Sequence, residues 1–240
     1  SPFSLEAIKR LEKLNIDAYK VASGEITNIP LLEALASLKK PVYISSGMSS
    51  LHEIDKAVNI FVEKKNIILM QCTSMYPCDQ KYVGLNIINY FKEKYKINVG
   101  FSDHTVTNTA ALLAYACGAQ SIEKHLTFSK KMYGSDAPYA AEPDQFKDLS
   151  MALKEARVIL SNNVDKDELV EQLKDMKYVF EKSIVAKKDF KIGDELMFED
   201  LAFKKPGGGL KPSEYKDILG KKLKNDLKKD EIIKKEDFFN

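Results

Sequence analysis

The chain has 240 residues, of which 44% are hydrophobic and 30% charged, the balance of an ordinary globular protein. Its 37 basic and 35 acidic residues leave a formal charge of +2, which offers no electrostatic footprint for nucleic acid or an anionic membrane. No apolar run approaches the roughly 20 residues needed to span a bilayer.

In chain order, a helical pattern "SLEAIKRLEKLN" leads into the run "DAYKVAS" (17–23). "IPLLEALASLKK" follows, with Pro30 suited to a first helical turn. After "PVYISSG" (41–47) comes "SSLHEIDKAVNIFVEKK", which opens with Ser50 and Glu53 at capping-box spacing. "NIILMQC" (66–72) precedes the helical "GLNIINYFKEKY". "INVGFSD" (97–103) precedes "NTAALLAYACGA", where Gly118 suits a helix end. "QSIEKHL" (120–126) is the fifth run, and "EPDQFKDLSMALKEARVIL" (142–160) reads as a long helix. Short apolar runs alternating with helices, about 23 to 30 residues apart, predict βα repetition and a parallel sheet.

An open doubly wound sheet and a (β/α)8 barrel both fit this alternation. No glycine-rich phosphate fingerprint follows any run, which weighs against the dinucleotide-binding form of the first. Polar residues instead gather at the C-terminal end of nearly every run: Ser23 and Glu25, Ser45 and Ser46, Thr73 and Ser74, Ser102 to His104, Lys124 and His125. In a barrel that edge is one ring around an active site, so a barrel is the expectation. Five of its eight βα units are visible, and roughly 100 further residues are expected upstream.

The barrel domain is assigned to 1–160 and a polar connecting segment to 161–182. A small, mostly β domain is assigned to 183–240, where "GDELMFEDL" is faintly echoed by "KDEIIKKEDF". The three glycines of "KKPGGGLKP" suit a surface turn better than an anion cradle. Cys72, Cys78 and Cys117 form no CxxC pair, so reduced thiols in a cytoplasmic protein are expected.

"VGFSDHT" (99–105) sets Ser102, Asp103 and His104 side by side, but neighbours in a strand point to opposite faces and cannot act as a hydrolase triad. His104 and His125 end consecutive runs, so they can converge on one divalent cation or remain hydrogen-bonded core residues. His52 lies in a first helical turn and reads as solvated surface. Lys20 and Lys124 lie within strands, where each can bind a phosphate or carboxylate, form a Schiff base, or reach outward to solvent. Glu25 suits a general acid/base or a lysine counter-ion. Ser23, Ser45 and Ser102 suit hydrogen bonding to a phosphate, or helix capping. Together they describe an anionic ligand beside a metal.

"KVASGEITNIPLLEALA", "ISSGM", "QCTSMYP", "GFSDHT", "IEKHLT" and "EPDQFK", in this order, resemble the sialic acid (N-acetylneuraminate) synthase family over essentially the whole chain. "FKKPGGGLKPSEYKDILGKKLKND" resembles its C-terminal antifreeze-like (SAF) domain. The resemblance implies condensation of phosphoenolpyruvate with an N-acetylated amino sugar, such as N-acetylmannosamine, to give a nonulosonic acid and phosphate. It implies that His104 and His125 hold Mn²⁺ or Mg²⁺, and that Lys20, Ser23, Ser45, Ser74 and Ser102 hold phosphoenolpyruvate. Glu25 would be the acid/base, with Tyr76 and Asp136 facing the sugar. The implied assembly is a domain-swapped homodimer whose SAF domain caps the neighbouring barrel. Lys205 stands where the family has an arginine that reaches the partner's sugar, so it keeps the charge and loses the planar fork. "GSDAPYAAEP" also departs from the family text. A non-catalytic binding module lacking three barrel strands, and a Schiff-base aldolase using Lys20 or Lys124, are the alternative readings.

Overall fold

A computed structural model describes residues 1–239, apart from the side chain of Lys64. The chain divides into two compact units, 1–162 and 163–240. In the first unit helices and strands alternate: α1 (Leu5–Lys13), β1 (Tyr19–Val21), α2 (Ile29–Ser37), β2 (Val42–Ser45), α3 (Leu51–Ile60), β3 (Ile67–Cys72), α4 (Asn86–Tyr95), β4 (Asn98–Asp103), α5 (Thr109–Ala116), β5 (Ile122–Lys124) and α6 (Pro143–Ser161).

Local chemistry fixes these boundaries. The Ser4 hydroxyl accepts the Ala7 N–H at 3.1 Å at the start of α1, and Pro30 sits in the first turn of α2. Ser50 and Glu53 exchange hydrogen bonds as a complete capping box at α3. After α5, Gly118 takes φ +96°, a left-handed conformation that ends the helix at little steric cost.

All five strands are parallel and follow the order β1-β2-β3-β4-β5. Doubly wound sheets reverse their strand order at a switch point; this sheet does not, so it is a run of (β/α)8-barrel units. Val21, Ile44, Leu69 and Val99 form one continuous core with Leu31 and Leu35 of α2, Ile54 and Val58 of α3, and Ile88 and Phe91 of α4. That layer holds the sheet from its helix side, and β1 and β5 are its two outer strands.

The second unit starts with two short helices, α7 (Lys166–Gln172) and α8 (Lys174–Phe180), within the stretch read as connecting. It continues with the antiparallel pair β6 (Ser183–Ala186) and β7 (Leu201–Lys204). Isolated bridges such as Phe190 with Leu227 and Leu223 with Phe238 complete a small β module around Ile184, Leu196, Leu223 and Ile233. The faint repeat is real in three dimensions. Asp200 accepts the Met197 N–H at 3.1 Å, and Asp237 accepts the Lys234 N–H at 2.8 Å, each closing one 3-10 turn. The three-glycine loop is a packed turn, since Gly207 donates to the Tyr178 carbonyl at 2.7 Å and Gly209 to the Ser183 hydroxyl at 3.1 Å. Among the described residues no helix is long and apolar enough to cross a membrane.

Asp200 anchors this unit. Burial pushes its carboxyl up, but the Lys188 ammonium at 2.7 Å and the Met197 N–H outweigh that and hold it below its ordinary 3.8. Its folded value is depressed, so its contribution is complete above the unfolded value and disappears as pH falls through the folded one. Asp200→Asn is expected to cost about 1–3 kcal/mol at pH 7 in urea unfolding. The difference from wild type should close below pH 3.8; a cost independent of pH would contradict the assignment.

Candidate functional site

The parallel register delivers the C-terminal ends of all five strands to one edge. Ser23 begins a 3-10 turn directly after β1, Ser45 ends β2, and Cys72 ends β3. Ser102 lies opposite Cys72 in the β3–β4 register, and Asp103 lies opposite Lys124 in the β4–β5 register. His104 and His125 are the next residues along.

The two imidazole rings lie side by side, tilted by 58°, with ring centroids 5.2 Å apart. His104 Nδ1 lies 2.8 Å from the Thr73 carbonyl oxygen, which can only accept, so this nitrogen carries the hydrogen. His125 Nδ1 lies 3.3 Å from Asp136 Oδ2, likewise an acceptor. Both rings therefore keep Nε2 for another partner, the arrangement found behind metal-bound histidines. Imidazole nitrogens about 2.1 Å from a shared ion place ring centres roughly 5 Å apart, so the pair fits one divalent cation. Among the described residues no group of three or more His, Cys, Asp and Glu side chains is arranged to hold a metal. Two imidazoles leave most of the coordination shell to water and ligand oxygens. The Tyr76 ring packs against both, 4.2 Å from His104 and 5.7 Å from His125.

Beside the imidazoles lies a cluster of hydroxyls. The Cys72 thiol sits 3.9 Å from Ser23 Oγ and 3.8 Å from His104 Nδ1, with Ser45 and Ser102 also facing it. Burial pushes this thiol up, yet the His104 ring outweighs burial and brings it below its ordinary value. His104 is in turn lifted against burial by Cys72 and the Thr73 carbonyl. Ser74 Oγ is buried and has no hydrogen-bond partner. A buried hydroxyl without a partner costs free energy, which a bound acceptor would recover. Ser102 donates to Glu123 Oε1 at 3.0 Å, and Lys20 Nζ lies 3.5 Å from Glu123 Oε2. A carboxylate of the protein itself thus sits between the lysine and the serine.

Lys20, Ser23, Ser45, Ser74, Ser102, Tyr76, His104, His125 and Asp136 all belong to this connected edge. Glu25 lies in the turn after β1, where its carboxylate accepts from Asn28 Nδ2 at 2.7 Å. Lys205 belongs to the second unit, its ammonium 4.7 Å from the centre of the Phe180 ring. His52 is exposed on α3. Lys124 Nζ donates to Asp103 Oδ2 at 2.7 Å with both side chains buried, so it offers no free amine for a Schiff base or a substrate anion. Sequence reasoning did not single out Glu123 or Cys72, and it placed Thr73 among the strand-end polar residues without giving it a role. Each directly neighbours a residue that was singled out, and adjacency to those positions was the available signal.

A model of the NeuB family matches residues 1–165, and one of the SAF domain matches 181–238. The chain is 37% identical to the N,N'-diacetyllegionaminic acid synthase of Campylobacter jejuni, over 98% of this chain and 71% of that protein. It is 35% identical to the pseudaminic acid synthase of the same species, over 99% of this chain and 69% of that one. Among solved structures, the N-acetylneuraminic acid (sialic acid) synthetase of Leptospira borgpetersenii superposes with a TM-score of 0.67 at 34% identity. That match covers 73% of this chain and 64% of the other. The chain thus spans about two thirds to seven tenths of the length of these relatives.

Gly47 closes the hydroxyl cluster from the β2 side. A Cβ there would lie 2.1 Å from Ser23 Oγ and 2.5 Å from Ser74 Oγ, and φ is +34°. Gly47→Ala is expected to displace both hydroxyls and weaken calorimetric binding of inorganic phosphate about tenfold or more, that is by at least ~1.4 kcal/mol. Unchanged phosphate affinity in a folded variant would remove these serines from an anion site.

Proposed function

The chain belongs to the NeuB family, and from that premise we propose that it condenses phosphoenolpyruvate with an N-acetylated amino sugar, giving a nonulosonic acid and phosphate. The observation that carries this reading is the juxtaposition of a partnerless buried hydroxyl, Ser74, with two imidazoles that both keep Nε2 free. An anion and a divalent cation are the two ligands such an edge suits best.

Lys20, Ser23, Ser45, Ser74 and Ser102 hold the phosphate and carboxylate of phosphoenolpyruvate, which fixes the enol against the sugar. His104 and His125 would hold Mn²⁺ or Mg²⁺, and such an ion would supply Lewis-acid polarisation of the aldehyde oxygen of the open-chain sugar. C3 of the enol forms the new bond to the aldehyde carbon, water adds at C2, and the C2–O bond to phosphate breaks. Glu25 moves the proton between water and the developing oxygens. The Lys20 ammonium and the serine hydroxyls stabilise the charge on the departing phosphate. Tyr76, half-exposed against both imidazoles, and Asp136 form the sugar side of the site. Lys205 contributes a cation from the SAF domain of a neighbouring subunit in a domain-swapped dimer, and the enzyme works in the cytoplasm. The relatives named for legionaminic and pseudaminic acids make a hexose bearing two N-acetyl groups a candidate beside N-acetylmannosamine.

Phosphate release is expected from phosphoenolpyruvate plus one of these sugars with Mn²⁺, and not without it. His104→Ala and His125→Ala should each lower the rate by at least about 100-fold. Tight binding of phosphoenolpyruvate with no phosphate released from any sugar would contradict the synthase reading. Wild-type rates in either variant would take the imidazoles out of the metal site.

A further inference from the structure

One buried ion pair lies outside the groups assigned to substrate. Lys124 and Asp103 have side chains 2% and 0% exposed, with Nζ and Oδ2 2.7 Å apart. The same ammonium donates to the Thr105 carbonyl at 2.7 Å and to the Thr107 carbonyl at 3.1 Å. Asp103 Oδ1 accepts the Thr105 N–H at 2.8 Å. An ammonium has three N–H bonds, and these three acceptors take them all.

The topology of this network matters more than its strength. His104 is bracketed, because the residue before it and the residue after it are both bonded to one ammonium. That ammonium belongs to the residue immediately before His125. A single Nζ therefore ties together the backbone anchors of both imidazoles, at a point where Asp103 and Lys124 are direct partners in the β4–β5 register. Two imidazoles can share one ion only at a fixed spacing, and here the ring centroids stand 5.2 Å apart. An apolar pair could fill the same volume, but it would not reach around His104 to hold the turn behind it.

We propose that Lys124, with Asp103 as its counter-ion, is a positioning residue that sets the spacing of His104 and His125 for a divalent cation. The proposal rests on the metal reading given above. Lys124 never touches substrate in this account; it acts by holding two ligands in register across two strands.

The test is Mn²⁺ affinity of the whole chain, read from the electron paramagnetic resonance signal of free Mn²⁺ and paired with a thermal unfolding curve. Lys124→Met leaves Asp103 buried without a partner and is at risk of not folding. The double variant Asp103→Asn with Lys124→Met removes both charges and avoids that hazard. Whichever variants unfold cooperatively are expected to bind Mn²⁺ about 10- to 100-fold more weakly than wild type at temperatures where they are folded. A folded variant with wild-type Mn²⁺ affinity overturns the proposal while leaving the two-imidazole site standing. Loss of cooperative unfolding in both variants also overturns it, in favour of a purely structural tie. A wild-type chain that takes up no more Mn²⁺ than His104→Ala refutes the metal reading itself, and this proposal with it.

Discussion

The strand-end edge depends on two opposite charges taken out of water between β4 and β5. Removing Asp103 and Lys124 from solvent costs several kcal/mol per ion in general, and only close contact with further hydrogen bonds offsets it. Here the contact is 2.7 Å, and the ammonium and both carboxylate oxygens have partners. Such a pair adds little net stability over well-packed apolar residues, but it is intolerant of displacement. A one-residue slip between β4 and β5 would separate the charges and turn every side chain of the strand to the other face. The register is therefore defended by electrostatics at the point where the chemistry-bearing residues emerge.

From that fixed point the rest of the edge follows as a division of labour among strand ends. β4 and β5 supply the imidazoles, and the turn after β3 supplies the Thr73 carbonyl that orients one of them. The turn after β1, β2 and the turn after β3 supply Ser23, Ser45 and Ser74, and Ser23 and Ser74 close around the Gly47 backbone. Glu123 is an unexpected participant, since its carboxylate lies between Lys20 and Ser102. A phosphate or carboxylate entering between those two groups must displace it. The site is thus internally neutralised rather than left as an open patch of positive charge, in keeping with a chain whose overall charge is only +2.

Much of this was legible in the sequence because its signals are local. Ser50 and Glu53, Pro30 and Gly118 mark helix ends through chemistry confined to one turn, and all act in the structure as their spacing suggests. The strand-end polar residues were legible because parallel βα repetition places successive C-terminal ends on one edge. What stayed hidden depends on partners far apart in the chain. Lys124 read equally well as an anion binder, a Schiff-base amine or an outward lysine, because nothing local says that Asp103, 21 residues earlier, lies in register with it. Asp103, once excluded from a triad, showed no role of its own in the sequence for the same reason. The triple glycine looked like loose surface because its partners, Tyr178 and Ser183, are separated from it by more than twenty residues.

The proposed site places one divalent cation on His104 and His125 beside an anion held by Lys20 and the serines. Anomalous diffraction from crystals soaked with Mn²⁺ and phosphoenolpyruvate tests it most directly. One strong anomalous peak is expected within coordinating distance of both Nε2 atoms, with the phosphate against Ser23, Ser45, Ser74 and Ser102. A peak on only one imidazole, a peak elsewhere, or a phosphate bound away from those hydroxyls would contradict it.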